Sequence, residues 1–232
     1  PDAQVLLARA RHPEQTLTFG VGFKGGHNAE LHNHNDIGSY YVMLDGVEMT
    51  GDPGGEVYTR RTFSKDRYVS KVLNSYGHPV PVVGGQLQRT GRAAAAKVLR
   101  ASFTDAKDEV AIEYAAAYAV PALKSLVRTL AFDRVRNVLT VSDRIVCTAP
   151  TAFEVPVITY RTWRKNAAVT AFTFDKSATT QRKLEMAVTA SAPVRFREER
   201  IENPSRPDVQ RLAFAFEAPV TEATFTTTFS VR

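Results

Sequence analysis

Period-two alternation of apolar and polar residues runs through most of the chain. Leu17, Phe19, Val21 and Phe23 alternate with Thr18, Gly20 and Gly22, and Leu212, Phe214 and Phe216 alternate with Ala213 and Ala215. Side chains two positions apart on an extended strand share a face, so these patterns predict half-buried strands. Similar runs, rich in Val, Thr, Phe and Tyr, cover 39–49, 98–103, 110–118, 127–132, 138–146, 155–162, 169–174, 184–190 and 223–231. Asp45-Gly46, Gly54-Gly55, Gly84-Gly85, the segments 105–108 and 134–137, and Asn203-Pro204 supply turn chemistry between them. Ten or more short strands with little helix predict an all-β fold: a large antiparallel two-sheet β-sandwich in a single domain over 1–232. Residues 3–10 leave room for a helical turn or two. The alanines at 93–96 read as strand from their context, and the charged, proline-containing stretch 197–208 reads as a loop. Internal repeats and low-complexity segments are absent from the sequence.

Composition narrows the class. The chain has 232 residues, 44% hydrophobic and 23% charged, ordinary values for a globular protein. No apolar run approaches the roughly 18 residues that a membrane helix needs. The polar start, Pro1-Asp2-Ala3-Gln4, carries no signal-peptide pattern. With a first residue other than Met, the chain is expected to be a piece of something longer, so a missing export signal says little about location. Cys147 is the single cysteine, which excludes an internal disulfide and a cysteine zinc cluster; it reads as a small buried residue of a strand. The formal charge of +6 favours a polyanionic partner, nucleic acid or acidic polysaccharide, or is a solubilising surplus. Finger-spaced Cys/His, a recognition-helix pattern and an RNA-binding aromatic signature are all missing. Neither nucleic acid nor membrane is therefore the expected partner.

Candidate chemistry is concentrated in one window. Three of the five histidines fall within Gly25-Gly26-His27-Asn28-Ala29-Glu30-Leu31-His32-Asn33-His34-Asn35-Asp36-Ile37-Gly38-Ser39. Imidazole is suited both to metal ligation and to proton transfer near neutral pH. On a strand His32 and His34 would share a face about 7 Å apart. They would either share a metal or divide the work, one binding metal and the other facing a substrate. Asp52 precedes a Pro-Gly turn and His78 lies in a second proline-bounded turn. Two histidines and a carboxylate are a common zinc set; hydrogen-bonded loop histidines are the competing interpretation. Glu30 and Asp36 flank the histidines and are placed to orient them or simply to be solvated. His27 reads as a loop stabiliser. Trp163, beside Arg161 and Arg164, is a core residue or a sugar-stacking platform.

An ordered set of residues carries a resemblance. Gly26-His27-Asn28-Ala29-Glu30, His32-Asn33-His34-Asn35-Asp36-Ile37-Gly38-Ser39, Asp52-Pro53-Gly54, Asn74-Ser75, His78, Gly85 and Gln88 together resemble the C-terminal region of the heparinase II/III-like polysaccharide lyases. The resemblance is strongest over roughly residues 17–90. It implies a structural Zn2+ held by His34, Asp52 and His78, with His32 facing the substrate channel. It implies a channel tyrosine after the Asp-Pro-Gly turn, for which Tyr58 and Tyr68 compete and Tyr58 is favoured. His32 and Tyr58 are thus the candidate catalytic residues, and Asn33, Asn35 and Tyr68 the candidate substrate-binding ones.

Family members cleave uronate-containing polysaccharide by β-elimination, with a further Tyr and His supplied by an α/α toroid that precedes the sandwich. This chain has almost no amphipathic helical pattern, so the helical domain is missing from it and the isolated chain is expected to be inactive. The resemblance further implies an acidic polysaccharide as partner, a secreted or periplasmic location, and leaves a homodimer open. The alternatives are a non-catalytic carbohydrate-binding or structural module with a structural zinc, and a metal hydrolase.

Overall fold

The computed structural model describes residues 3–10, 18–175, 182–203 and 207–232. Leu17 lies outside that set. Among the described residues every regular element is a strand or a single 3-10 turn.

One layer is an eight-stranded antiparallel sheet. Its order is Trp163–Lys165, Ala171–Phe174, Leu184–Ala190, Val220–Val231, Val138–Thr151, Leu123–Asp133, Lys107–Glu113 and Lys97–Phe103. The second layer contains two four-stranded sheets. One runs Val5–Arg9, Phe19–Lys24, Tyr40–Leu44, Val47–Thr50; the other runs Val194–Ile201, Val209–Phe216, Phe153–Thr159, Val82–Val83. A seam joins the two: Gly51 N–H donates to Ile158 O at 2.8 Å, and the Thr159 hydroxyl donates to Met49 O at 2.6 Å. A short pair, His27–Asn28 with Gly91–Ala95, closes one end.

Aromatic contacts weld the layers together. Phe19 meets Phe132 at 5.5 Å between ring centroids, Tyr40 meets Phe229 at 6.0 Å, and Phe214 meets Phe225 at 5.3 Å. The alternation dictates this: along Leu123–Asp133 every second residue from Leu126 is buried. Tyr40 is buried and its neighbour Tyr41 only half so, as opposite faces of one strand require. Cys147 is buried and free. Trp163 packs on Phe172 and Phe196, and its indole N–H donates to Gln210 Oε1 at 2.6 Å, which makes it a packing residue.

Two expectations are overturned. Residues 3–10 contain the edge strand Val5–Arg9, not a helical turn, because pairing with Phe19–Lys24 overrides the helical propensity of Leu and Ala. The first part of the stretch expected as a loop at 197–208, residues 197–201, is the second half of strand Val194–Ile201, an edge strand whose charges lie exposed or half-exposed; residues 204–206 of the stretch lie outside the described residues. Charged side chains are a normal way to protect a sheet edge. The alanine segment is a strand as expected, Gly91–Ala95.

Candidate functional site

Loops, not strands, bring the expected ligands together. Residues 29–38 are turns and bends, so His32 and His34 do not share a strand face. His32 has φ +58, in the left-handed region that non-glycine residues seldom occupy. The chain turns there, and the two imidazoles enter different surroundings.

His34 points inward, its Nδ1 3.2 Å from His78 Nε2. His78 is completely buried. It follows a 3-10 turn at Ser75–Gly77 whose first N–H groups are tied by Asn74, the side chain accepting from Tyr76 N–H at 2.8 Å. Asp52 arrives from the seam between the second-layer sheets. Its N–H donates to Glu48 Oε1 at 2.9 Å and its Oδ1 accepts from Gly54 N–H at 2.7 Å, while Oδ2 lies 3.4 Å from His78 Nδ1. His34, Asp52 and His78 each offer one ligand atom within 4.8 Å of the others. A cavity of about 220 Å3, bounded in part by Lys24, Asp36, Tyr41 and Asp52, opens on the carboxylate side of the group.

The three groups shift one another's protonation. Burial, with help from the neighbouring His78 charge, lowers His34 to about 4, so its imidazole is neutral at physiological pH. Burial alone would push the Asp52 carboxyl up; the adjacent His78 and His34 and the Gly54 N–H outweigh it and hold the carboxylate well below its usual range. Burial alone would lower His78, but the Asp52 carboxylate raises it above the ordinary imidazole value. His78 Nε2 lies 3.1 Å from the carbonyl of Val72, which can only accept. That contact places a proton on Nε2; Nδ1 faces Asp52, protonated when the ring is charged and a lone pair when it is neutral. Nδ1 is buried, and the group it faces is the Asp52 carboxylate at 3.4 Å, longer than an ordinary hydrogen bond. A buried orphan nitrogen beside a carboxylate is a place that a positive charge fills, either a proton or a metal ion. The donor set of two imidazoles and a carboxylate fits zinc.

His32 points the other way. Its ring stacks on Tyr58 with 6.0 Å between centroids and 5° between planes, and its Nδ1 lies 3.4 Å from the Tyr58 hydroxyl. Tyr58 is 52% exposed and meets the exposed Phe63 edge-on at 5.4 Å. Tyr68 donates to Asn33 Oδ1 at 3.0 Å. The remaining candidate, Asn35, is buried: its N–H donates to Leu73 O and its Oδ1 has no hydrogen-bond partner. Burial removes its side chain from the ligand-contacting set expected of it.

The flanking carboxylates serve a lysine rather than the histidines. Lys24 Nζ lies 2.5 Å from Asp36 Oδ1 and 3.9 Å from Glu30 Oε2. His27 behaves as a loop stabiliser, accepting from Ala29 N–H at 3.2 Å and contacting Arg92 at 3.1 Å.

Three further residues shape the site without having been singled out for that role. Arg67 ties the His32 loop to the 60s segment, donating to the carbonyls of His32, Asn33 and Thr62 at 3.3, 3.0 and 3.0 Å. Gln88 accepts from Ile37 N–H at 3.0 Å and Asn28 Nδ2 at 3.1 Å, and donates to Ile37 O at 2.7 Å. Arg128 reaches over from the facing sheet to the carbonyls of Gly38 and Pro79. Gln88 is visible in the sequence only through the resemblance; Arg128 has no local signal, because its partners are 49 and 90 positions away.

No protein-family model matches the sequence, and no curated protein does. Solved structures do. A heparinase III structure superposes over 100% of this chain with a TM-score of 0.81 at 10% identity. The fold is one shared with heparinase III. The heparan sulfate lyase HepC of Pedobacter heparinus covers 99% with a TM-score of 0.78 at 14% identity, and a further heparinase III structure covers 99% at 0.75 and 14%. The chain spans 35% of the length of each of these proteins and matches the C-terminal β-sandwich part of heparinase III. No helix among the described residues is long and apolar enough to cross a membrane.

Proposed function

We propose that this chain is the β-sandwich part of a heparinase II/III-like polysaccharide lyase, a single domain that forms one wall of a cleft for uronate-containing polysaccharide. The observation that carries the proposal is the convergence of His34, Asp52 and His78, with the orphan Nδ1 of His78, directly behind a surface-facing His32–Tyr58 pair, on a fold shared with heparinase III. His34, Asp52 and His78 hold a structural zinc ion. When bound, that ion supplies a fixed positive charge that locks the three loops.

The chemistry asked of the wall is β-elimination. The C5 proton of a uronate is a poor acid, and its removal needs donors that stabilise the developing charge on the carboxylate, a base, and an acid for the leaving O4. His32 and Tyr58 are close enough to pass a proton between Nδ1 and the phenol. Exposed Phe63 beside Tyr58 offers an apolar face to a sugar ring. Asn33 and Tyr68, bonded to each other and backed by Arg67, present amide and hydroxyl groups to the substrate. The residues completing the site come from a helical domain, and the whole enzyme is secreted or periplasmic, where such polymers occur.

Two measurements test this. Purified chain is expected to contain zinc in stoichiometric amount, lost in His34→Ala and in His78→Ala; zinc that persists in either variant removes that residue from the ligand set. Isolated chain is expected to bind heparan sulfate or alginate oligosaccharides and release no unsaturated uronate, followed by its ultraviolet absorbance. Normal turnover would show that no second wall is required, and absence of both zinc and oligosaccharide binding defeats the proposal.

A further inference from the structure

Arg128 is fully buried on the strand Leu123–Asp133, in the sheet opposite the ligand loops. Asp143 faces it directly in the cross-strand register and is also buried. The pair is bidentate, Nε to Oδ1 at 2.8 Å and Nη2 to Oδ2 at 2.7 Å. Tyr114 donates its hydroxyl to Asp143 Oδ1 at 3.0 Å, and the guanidinium lies 5.4 Å from the centre of the Tyr40 ring. The remaining nitrogen, Nη1, donates to two carbonyls at 2.6 Å each: Gly38 O and Pro79 O. Gly38 ends the loop that carries His34. Pro79 is the residue after His78. One guanidinium therefore grips both ligand-bearing loops from the far layer.

A buried ion pair is a poor source of stability, since well-packed apolar residues of similar size usually do as well or better. What an apolar pair cannot do is hold two carbonyls at fixed points. Gly38 has φ +89, and a Cβ there would meet the Tyr114 ring at 3.3 Å, so the backbone is held close against that ring. We infer that Arg128 is a positioning residue of the His34–Asp52–His78 centre: by clamping Gly38 and Pro79 it sets the separation of His34 and His78, and so the affinity for the divalent ion. This rests on the proposed metal site. Residues that support metal ligands typically change affinity 10–100-fold when lost.

The test compares zinc affinity, by competition with a chromophoric chelator, and the visible spectrum of the Co2+-substituted protein in four variants. Arg128→Met and the double variant Arg128→Met/Asp143→Leu are expected to bind zinc at least tenfold more weakly and to show an altered Co2+ spectrum. The double variant leaves no unpaired buried charge and is expected to melt above Arg128→Met but below wild type, because Gly38 O, Pro79 O and the Tyr114 hydroxyl lose their partners; the destabilised Arg134→Met control, with zinc affinity intact, separates positioning from folding. Arg128→Lys, which cannot serve Asp143 bidentately and both carbonyls together, is expected to fall between and decides the matter if Arg128→Met does not fold. Arg134→Met is the control. It removes a partly buried arginine bonded to Arg9, Thr104 and Asp108, and is expected to lower the melting temperature while leaving zinc affinity unchanged. Wild-type affinity and spectrum in the double variant overturn the inference. Wild-type protein that binds no zinc overturns the metal site itself, and the inference with it.

Discussion

His32 and His34 are two positions apart, yet His32 Nδ1 lies 3.4 Å from the exposed Tyr58 hydroxyl while His34 Nδ1 lies 3.2 Å from the buried His78. The division follows from the left-handed backbone at His32. One short segment thereby serves an interior ion site and an exterior surface at once. The two roles should be separable by substitution.

His32→Asn is the first case. Asparagine tolerates the left-handed region better than most residues, so fold and zinc content should survive, with stability within about 1 kcal/mol of wild type. Oligosaccharide binding should be lost. Tyr58→Phe should be milder still, within about 0.5 kcal/mol in stability, as expected of an exposed side chain. Thermal melts, metal analysis and oligosaccharide titration check both; loss of zinc in His32→Asn would place that imidazole on the wrong side of the division.

Zinc uptake should release protons in a pH-dependent way. Ligands must be deprotonated to bind. His34, at about 4, is already neutral through the physiological range. His78, raised by Asp52, is the group that must shed a proton. Affinity should therefore be flat above the raised His78 value and fall about tenfold per pH unit below it. A second proton should enter only near pH 4. Calorimetry in buffers of different ionisation enthalpy measures the count; two protons released at neutral pH would contradict the assignment.

Gly51→Ala should damage both stability and metal binding. Gly51 has φ +152, and a Cβ there would lie 2.3 Å from Tyr41 Cβ and 2.8 Å from Tyr41 Cα. Backbone has to move, at a cost of roughly 1–3 kcal/mol. The same residue donates to Ile158 O and precedes Asp52, so the displacement is passed to the carboxylate. Denaturant unfolding and zinc competition should show both losses together.

Gln88→Met should cost roughly 3 kcal/mol. It strips the Ile37 N–H and C=O of their buried partner, each loss worth about 1–3 kcal/mol, while the Asn28 amide keeps the Arg89 carbonyl. Exchange of the Ile37 amide proton, followed by NMR, should accelerate markedly.

The strands were legible where one face meets the core, because burial then imposes the period: Leu123–Asp133 and Val209–Phe216 are examples. Edge strands were less so. Val5–Arg9 and Val194–Ile201 bury too little to show a clean alternation, and pairing decides them. At the site, His34, Asp52 and His78 were assembled from the family resemblance, and the structure brings them together. The left-handed turn at His32 was not readable, since no glycine marks it and a histidine adopts the extended or helical region far more often. Asn35 looked like its neighbours in sequence but is turned into the interior. Arg128 needed the register of two strands and the approach of two distant loops before it meant anything.

The seam of the second layer ends one residue before Asp52, held by the Gly51 and Thr159 hydrogen bonds. An ion that anchors Asp52 to His78 therefore also rivets the two halves of that layer. Chelation should make this line the first to come undone, exposing 49–55 to proteolytic nicking while the opposite eight-stranded sheet stays intact.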